Sequence, residues 1–564
     1  MEALDWLVIG VFFLALIGII VWVVRQKQND SADYFLGGRD ATWLAIGASI
    51  FASNIGSEHL IGLAGAGASS GMAMAHWEIQ GWMILILGWV FVPFYTRSMV
   101  YTMPEFLERR YNPQSRTILS VISLVSYVLT KVAVTVYAGG LVFQQVFGIK
   151  ELWGIDFFWI AAIGLVVLTA LYTIFGGMKS VLYTSVLQTP ILLLGSLIIL
   201  VLGFKELGGW DEMMRVCGAV TVNDYGDTMT NLIRSNDDAN FPWLGALIGS
   251  AIIGFWYWCT DQFIVQRVLS GKNEMEARRG TIFGAYLKLL PVFLFLIPGM
   301  IAFALHQKYI GAGGEGFLPM LANGTANADA AFPTLVAKLL PAGVKGLVVC
   351  GILAALMSSL ASLFNSSAML FTIDFYKRFK PETPEKKLVG IGQIATIVIV
   401  VLGILWIPIM RSVGDVLYTY LQDVQSVLAP GIAAAFLLGI CWKRTSAQGG
   451  MWGLISGMVI GLTRLGATAY YSNAGEVADS TFKYLFYDMN WLFFCGWMFL
   501  FCIIVVIVVS LATEAPTAEK IQGLVFGTAT KEQKAATRAS WNHWDIIHTV
   551  IILAITAAFY WYFW

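Results

Sequence analysis

The sequence predicts an all-α membrane protein with about 14 transmembrane helices. Its 564 residues are 58% hydrophobic and only 12% charged, whereas soluble domains carry about 25% charged residues. Apolar segments of about 20 residues, the length that crosses a bilayer, recur along the chain. The formal net charge of +0 argues against a nucleic-acid partner. The lipid bilayer is therefore the predicted environment.

Fourteen apolar segments are long enough to be spans. They lie near 4–24, 41–71, 72–98, 116–146, 154–176, 179–204, 243–269, 279–306, 345–376, 388–411, 414–441, 447–469, 489–512 and 544–563. The first lacks a basic leader and a small-residue cleavage site, so we interpret it as a retained span. The chain reads as one transporter domain, 1–564, with an inverted-repeat core at about 41–441 and extra C-terminal spans at 447–563.

The distribution of lysine and arginine predicts the orientation. With an extracytoplasmic N-terminus, most basic residues of the loops fall on the cytoplasmic side, including Arg109, Arg110, Lys386 and Lys387. Cytoplasmic loops are generally enriched in such residues. We therefore expect a multi-pass protein of the plasma (inner) membrane.

A polar stretch interrupts the second span. Residues 50–59 read IFASNIGSEH and lie between apolar flanks. Asn54, Glu58 and His59 would be costly in lipid unless they face water, an ion or a substrate. The neighbouring glycines and serines indicate a helix broken near mid-membrane, with carbonyl groups available to a cation. The stretch predicts a transport site.

A second group of small polar residues predicts a Na⁺ site. Ala355, Ser358 and Ser359 share one face of span 345–376, because helix positions i, i+3 and i+4 are neighbours. With the backbone of Ala52 and Ile55 they would supply about five neutral oxygens. Such a set suits Na⁺ better than a divalent ion, which normally requires carboxylates. The alternative is that these small residues only allow close helix packing.

Further polar residues within the spans suit a sugar. Glu78, Lys288 and Gln422 occur near Trp and Tyr residues. Polar groups can bind hydroxyls in pairs, while aromatic faces cover the C–H surface of a sugar ring. The alternative is that Lys288 is a structural lysine and Glu78 its buried partner.

Lys131 and Asp261 also lie within spans, and for them we predict structural pairing. Gly254 begins the stretch GFWYW, and we expect it to allow a helix break in the seventh span. Two interrupted spans, five apart, indicate a five-plus-five inverted repeat.

Several long motifs resemble the sodium/glucose cotransporter branch of the sodium:solute symporter family, nearly end to end. They are DYFLGGR (33–39), SNIGSEH (53–59), YTMPEFLERRY (101–111), WYWCTDQFIVQR (256–267), AALMSSLASLFNS (354–366) and FLLGICWKR (436–444). The resemblance implies fourteen helices around a ten-helix, LeuT-like core of two inverted repeats that works by alternating access.

The resemblance also implies roles for individual residues. Na⁺ would be held by Ala52, Ile55, Ala355, Ser358 and Ser359. The sugar contacts would be Asn54, His59, Glu78, Tyr257, Trp258, Lys288 and Gln422. The outer gate would be Leu63, Trp77 and Tyr418, and Tyr257 would be the inner-gate aromatic that stacks on the sugar. Glu58 receives no role.

This sequence departs from the family pattern in places. Gly254 stands where relatives carry Asn or Thr, and Gly81 replaces a small side chain that helps line the sugar site. These departures leave the identity of the sugar open. Members with a second sodium have Asp where Ser185 stands and a hydroxyl where Ala361 stands. We therefore expect one Na⁺ per substrate.

The sequence thus predicts a secondary active symporter that couples Na⁺ entry to uptake of a neutral monosaccharide such as glucose or galactose. One alternative is a Na⁺-coupled symporter of a polyol such as inositol, or of a carboxylated solute such as sialic acid or proline. Another is a sugar-gated sensor or channel. An enzyme is not expected, because the sequence shows no nucleophile–base pair or metal cluster.

Overall fold

A computed structural model of the chain describes residues 1–26, 30–56, 58–321, 324–413, 417–472 and 478–564. Within these ranges, the side chains of residues 129, 130, 141, 145, 409–413 and 417–423 are outside the description. The described chain is mostly helical, and its two short strands form one antiparallel hairpin. The strands are β1 (Glu151–Leu152) and β2 (Ile155–Asp156).

The first half of the chain contains helices α1 to α14. They are α1 (Ala3–Val24), α2 (Ser31–Leu36), α3 (Trp43–Asn54), α4 (Ala64–Ser70), α5 (Ala75–Glu78), α6 (Gly81–Ile86), α7 (Val92–Ser98), α8 (Met103–Arg110), α9 (Pro113–Ser126), α10 (Ala133–Phe147), α11 (Phe157–Leu207), α12 (Trp210–Gly218), α13 (Trp243–Gly254) and α14 (Gln262–Leu269).

The second half contains helices α15 to α27. They are α15 (Glu274–Lys288), α16 (Ile297–Gly311), α17 (Ala331–Leu339), α18 (Val344–Met369), α19 (Lys377–Phe379), α20 (Glu385–Val413), α21 (Leu417–Cys441), α22 (Ala447–Tyr471), α23 (Thr481–Lys483), α24 (Trp491–Ala512), α25 (Ala518–Ile521), α26 (Lys531–Ala539) and α27 (His543–Tyr562).

Several helices continue through π-helical turns, which are often found at functional sites. These segments are Glu58–Leu63, Leu87–Phe91, Tyr127–Val132, Phe255–Thr260, Val292–Leu296, Leu370–Tyr376 and Tyr484–Asp488. Short 3₁₀ turns occupy Gly37–Arg39, Gly71–Met74 and Ala328–Ala330. Two of the π segments, Glu58–Leu63 and Phe255–Thr260, carry residues that the sequence assigns to the substrate site.

Within the described residues, ten helical stretches are long and apolar enough to cross a membrane. One of them, α11, has 51 residues and a non-helical backbone at Gly177 (φ 53°, ψ −152°). At about 1.5 Å per residue, a helix of this length far exceeds the thickness of one bilayer. Its length and the irregular backbone at Gly177 are compatible with the two spans predicted at 154–176 and 179–204. The total of fourteen spans stays a prediction.

Two helices are interrupted by extended residues. α3 ends at Asn54, and the next residue, Ile55, has an extended backbone (φ −79°, ψ 107°), where the sequence predicts a break. The second interruption is at Asp261 (φ −75°, ψ 127°), between the Phe255–Thr260 segment and α14. The prediction that Gly254 breaks this helix is wrong, because Gly254 is helical (φ −63°, ψ −39°). Asp261 provides the break instead: its side chain accepts a hydrogen bond from the Phe263 N–H and caps α14.

The interrupted helices lie at the centre of the helix packing. α3 packs against α11, α15 and α18, and α11 packs along α18. α1 covers α11 and α18, while α21, α22 and α24 form a group of their own beside α13. The buried core therefore surrounds the broken end of α3.

Glycines allow some of these helices to meet at backbone distance. A Cβ atom at Gly299 of α16 would lie 2.0 Å from the Ala64 carbonyl oxygen, and one at Gly67 would lie 2.2 Å from that of Leu296. Both distances are too short for any side chain. The crossing of α4 and α16 therefore depends on glycine on both helices.

We expect Gly299→Ala to lower the free energy of unfolding by about 1–3 kcal/mol, because the added methyl forces the two helices apart. The midpoint of thermal unfolding of the purified protein measures this change. Gly18→Ala in α1 is the matched control, since no atom lies within 4 Å of its Cβ position. Equal stability of the two variants would contradict the close crossing.

Candidate functional site

A narrow cavity lies where α3, α5, α13, α15 and α21 approach one another. Its volume is about 60 Å³, well below the several hundred Å³ typical of ligand pockets. A ring-sized ligand therefore requires the lining side chains to move apart. The lining residues are Asn54, Glu58, His59, Trp77, Glu78, Gln80, Ile253, Gly254, Tyr257, Trp258, Lys288 and Gln425.

A buried carboxylate organises the charges of this cavity. Glu78 Oε2 lies 2.6 Å from Lys288 Nζ and 3.2 Å from His59 Nε2. All three side chains are buried. Because a buried charge is tolerated only when it is paired, Glu78 and Lys288 stabilise each other and form a pair without net charge.

The polar contacts continue from His59 towards the broken helix. Asn54 Nδ2 lies 3.3 Å from His59 Nε2, and Lys288 Nζ lies 5.3 Å from the centroid of the Trp258 ring. Within the described part of the chain, the buried atoms His59 Nδ1 and Trp77 Nε1 have no hydrogen-bond partner. Unpaired buried polar atoms at a cavity are suited to a ligand that supplies hydroxyl groups.

Gly254 makes room for a polar side chain that the sequence analysis missed. Gln80 donates a hydrogen bond from Nε2 to the Ser250 carbonyl oxygen (2.8 Å). A Cβ atom at Gly254 would lie 2.4 Å from Gln80 Oε1. The amide of Gln80 therefore occupies the space that a side chain at position 254 would take, such as the Asn or Thr that the family resemblance implies.

Gly81, the other departure from the family pattern, lies at a helix contact. A Cβ atom at Gly81 would lie 2.8 Å from the Ala285 carbonyl oxygen of α15 and 3.3 Å from Leu289 Cδ2. Gly81 is also absent from the cavity lining. Its small size serves the packing of α6 on α15.

We expect Gly254→Thr to displace the Gln80 amide and change the choice of substrate. Loss of one neutral hydrogen bond corresponds to about a 2- to 10-fold rise in half-saturating substrate concentration. Competition between a labelled monosaccharide and unlabelled sugars and polyols measures the effect. Gly81→Ala is the control, which should reduce stability but leave the preference among substrates unchanged. The same shift in both variants would contradict the role of Gln80.

The aromatic residues assigned to the gates are only partly at the cavity. Trp77 lines it and stacks on Trp491, with ring centroids 5.6 Å apart. Tyr257 lines it too, and its ring meets Trp258 edge to face at 4.9 Å. Leu63 is fully buried and does not line the cavity. The side chains of Tyr418 and Gln422 lie outside the described residues, so their roles stay predictions.

The cavity includes further residues that the sequence analysis did not assign. Gln80, Ile253 and Gln425 line it, and so does Glu58, for which no role was predicted. Gln425 lies on the same helix as Gln422, three residues later. Since positions i and i+3 share a helix face, this spacing was the available signal for Gln425.

The predicted Na⁺ residues lie on α3, just after its end, and on α18, and these two helices pack against each other. All five lie in the buried core: Ala52, Ile55, Ala355, Ser358 and Ser359. A helix that ends at Asn54 leaves its last carbonyl groups without helical donors. Ser53 Oγ lies 2.6 Å from Ser362 Oγ, which joins the broken end of α3 to α18.

Two further contacts define this region. Ser185 Oγ of α11 lies 3.3 Å from Ser358 Oγ and donates to the Val181 carbonyl oxygen (2.7 Å). A Cβ atom at Gly56 would lie 2.6 Å from Glu58 Oε2 and 3.1 Å from Ser359 Oγ. Gly56 therefore lies next to both the Glu58 carboxylate and the Ser359 hydroxyl.

Lys131 and Asp261 form the structural pair that the sequence predicts. Lys131 Nζ lies 2.7 Å from Asp261 Oδ2, and Tyr127 donates its hydroxyl hydrogen to Asp261 Oδ1. The Lys131 ammonium group also lies 4.8 Å from the centroid of Tyr257 and 4.8 Å from that of Phe263. The pair holds the break at Asp261 and the cavity-lining Tyr257 in place.

A buried polar cavity and a group of neutral oxygens at the break of a membrane helix define a solute transporter of the multi-pass, all-helical class. The model of the sodium:solute symporter family matches residues 34–457. The chain therefore belongs to the sodium:solute symporter family. It is a Na⁺-coupled solute symporter embedded in a membrane.

Curated relatives match almost the whole chain. Sodium/myo-inositol cotransporter 2 of Mus musculus is 37% identical over 542 residues, covering 94% of this chain and 80% of the relative. Sodium/myo-inositol cotransporter of Canis lupus familiaris is 37% identical over 551 residues, covering 93% of this chain and 76% of the relative.

A solved structure confirms the class of fold. A Na⁺-coupled sialic acid symporter, in a substrate-bound outward-open state, superposes with a TM-score of 0.73 at 22% identity. The match covers 92% of this chain and 99% of that structure. At this identity the similarity concerns the fold alone.

Proposed function

We propose that this protein couples inward Na⁺ movement to uptake of a neutral polyol, with myo-inositol as the favoured substrate, by alternating access. The observation that carries the proposal is the buried Glu78, paired with Lys288 and adjacent to His59. Around it the cavity offers amides and aromatic rings. These groups fit a ring that carries several hydroxyls and no net charge.

The charge balance disfavours a carboxylated substrate such as sialic acid or proline. A carboxylate would need a cation, but Lys288 already lies 2.6 Å from Glu78 Oε2. Bringing a third charge into this buried cluster would leave one negative charge without a partner, which is costly in a dry site. The structural similarity to a sialic acid symporter concerns the fold and does not alter this argument.

A neutral monosaccharide such as glucose or galactose is the second candidate. Its ring hydroxyls would use the same polar groups, and the rings of Tyr257 and Trp258 at the cavity would face its C–H surface. The inositol cotransporters, at 37% identity over nearly the whole chain, favour the polyol over the glucose-branch substrate that the motifs imply. The Gln80 amide beside Gly254 is a departure from the family pattern at the cavity, and we propose that it contributes to the choice between a polyol and a monosaccharide.

We propose one Na⁺ per substrate, held by Ala52, Ile55, Ala355, Ser358 and Ser359. The basis is the departure at Ser185 and Ala361 from members with two sodium ions. One positive charge with a neutral solute makes the cycle electrogenic, so the membrane potential contributes about 2.3 kcal/mol per 100 mV. This corresponds to about 40-fold accumulation.

We place the protein in the plasma (inner) membrane with its N-terminus extracytoplasmic, on the distribution of basic residues.

Proteoliposomes containing the purified protein test the proposal. Labelled myo-inositol, glucose, galactose, sialic acid and proline are supplied with an inward Na⁺ gradient or with K⁺ in its place. We expect concentrative, Na⁺-dependent uptake of myo-inositol and a flux ratio of one Na⁺ per solute. Uptake restricted to acidic solutes would refute the neutral site. Solute-evoked current without accumulation would instead indicate a sensor or channel.

A further inference from the structure

An apolar groove lies on the surface of the protein and shares no lining residue with the cavity described above. It lies between α9, the Leu370–Tyr376 segment and α20, and its volume is about 840 Å³. Val125, Ile394 and Val398 line it and are 51%, 62% and 50% exposed. We call it the α9–α20 groove. Apart from Tyr376 and Lys387 at one end, its lining is aliphatic or phenylalanine.

A basic segment adjoins this end of the groove. Residues 377–387 contain Lys377, Arg378, Lys380, Lys386 and Lys387, against the acids Glu382 and Glu385. The segment therefore carries a net charge of +3. On the predicted orientation it faces the cytoplasm, where the leaflet is rich in anionic lipids.

Some charges of the basic segment are already engaged within the protein. Glu385 Oε1 pairs with Lys377 Nζ at 3.0 Å, and its Oε2 accepts a hydrogen bond from the Ser31 hydroxyl (2.5 Å). Arg378 donates to Thr117 Oγ1 (2.5 Å) at the start of α9. The nearby Asp374 is buried and paired with Arg116 at 2.7 Å. These contacts fix the segment over the end of the groove.

Two exposed lysines flank the mouth of the groove. Lys387 is one of its lining residues, and Lys380 Nζ lies 5.9 Å from the ring centroid of Tyr376, which is another. Phe379, beside Lys380, is 80% exposed. An exposed aromatic residue between basic residues is typical of a segment that inserts at a membrane surface.

We propose that the α9–α20 groove binds an anionic glycerophospholipid of the cytoplasmic leaflet. An acyl chain lies along the aliphatic lining, and the phosphate headgroup contacts Lys380 and Lys387. Both parts of the site fit one lipid molecule, because the apolar α9–α20 groove leads to a cluster of positive charge. A zwitterionic lipid would gain the apolar contacts but less of the electrostatic attraction.

Native mass spectrometry of the full-length protein, released from detergent with added lipid, tests the proposal. The probes are a phosphatidylserine and a phosphatidylcholine with the same acyl chains. We expect phosphatidylserine adducts to dominate, and Lys380→Gln with Lys387→Gln to weaken them by about 30-fold, since each lysine contributes about 5-fold. Lys531→Gln with Lys534→Gln removes the same charge from exposed positions of α26 and should change binding by less than about 2-fold.

A second pair of variants tests the apolar part. Val398→Trp fills the groove and should reduce adducts of both lipids. Ile397→Trp is its control, because Ile397 is 48% exposed on the same helix but does not line the groove. Soluble glycerol 3-phosphate should not displace the lipid, because it lacks the acyl chains.

The proposal is overturned by equal binding of the two lipids, or by equal losses in the α20 and α26 lysine pairs. It is also overturned if Val398→Trp and Ile397→Trp behave alike. Displacement by glycerol 3-phosphate would show a phosphate site without a lipid. All substituted side chains are exposed or half-exposed, so thermal unfolding should be unchanged and serves as the check on folding.

Discussion

Glu78→Gln should reduce Na⁺-driven uptake of myo-inositol by more than about 100-fold. The variant keeps the shape of the side chain but leaves the Lys288 ammonium group buried without its carboxylate. Removing one partner of a buried pair costs about 3–5 kcal/mol, because the other charge loses its compensation. His59 loses the same carboxylate, since its Nε2 lies 3.2 Å from Glu78 Oε2. Initial uptake rates in proteoliposomes measure the loss.

A double variant separates folding from transport in this experiment. Glu78→Gln with Lys288→Met removes both charges, and replacing a buried pair with neutral residues is often close to neutral for stability. We therefore expect the double variant to be as thermally stable as the unmodified protein. Its uptake of myo-inositol should stay as low as that of Glu78→Gln. If Glu78→Gln transports at the normal rate, the carboxylate is not part of the substrate site. If the double variant regains uptake, the pair has only a structural role.

The sequence predicted the architecture well where the signal was local. Apolar segments of sufficient length gave the helical membrane class, and the polar residues of 50–59 marked the interruption at Ile55. The second interruption was placed seven residues too early, at Gly254. Glycine permits a break but does not require one, whereas the capping carboxylate of Asp261 starts a new helix.

Contacts between distant segments explain what the sequence could not show. The pairing of Glu78 with Lys288 was one of two readings open from the sequence, and only the packing of α5 near the end of α15 brings their charged atoms to 2.6 Å. Gln80 could not be predicted as a site residue, because a single glutamine belongs to no recognisable motif. Its position depends on the lack of a side chain at Gly254, a residue of α13 distant in sequence.

The serines of α18 carry the second large effect that we expect. Ser358→Ala with Ser359→Ala should raise the half-saturating Na⁺ concentration by at least about 10- to 100-fold, since an interaction with a charged group is worth about 1.5–3 kcal/mol. Both side chains are buried beside the broken end of α3, where carbonyl groups lack helical donors. Uptake measured over a series of Na⁺ concentrations, at saturating myo-inositol, gives the shift.

Ser367→Ala provides the matched control on the same helix. Ser367 is fully buried, and its hydroxyl has no partner among the described residues, so its removal should leave the Na⁺ dependence unchanged. The experiment is informative only if the double variant folds. The midpoint of its thermal unfolding in Na⁺-free buffer checks this. Added Na⁺ should raise that midpoint in the unmodified protein and in Ser367→Ala, but much less in the double variant, because a bound ion stabilises only the folded state. An unchanged Na⁺ dependence in the double variant would show that Ser358 and Ser359 do not bind the ion. The broken end of α3 would then have no part in Na⁺ coupling.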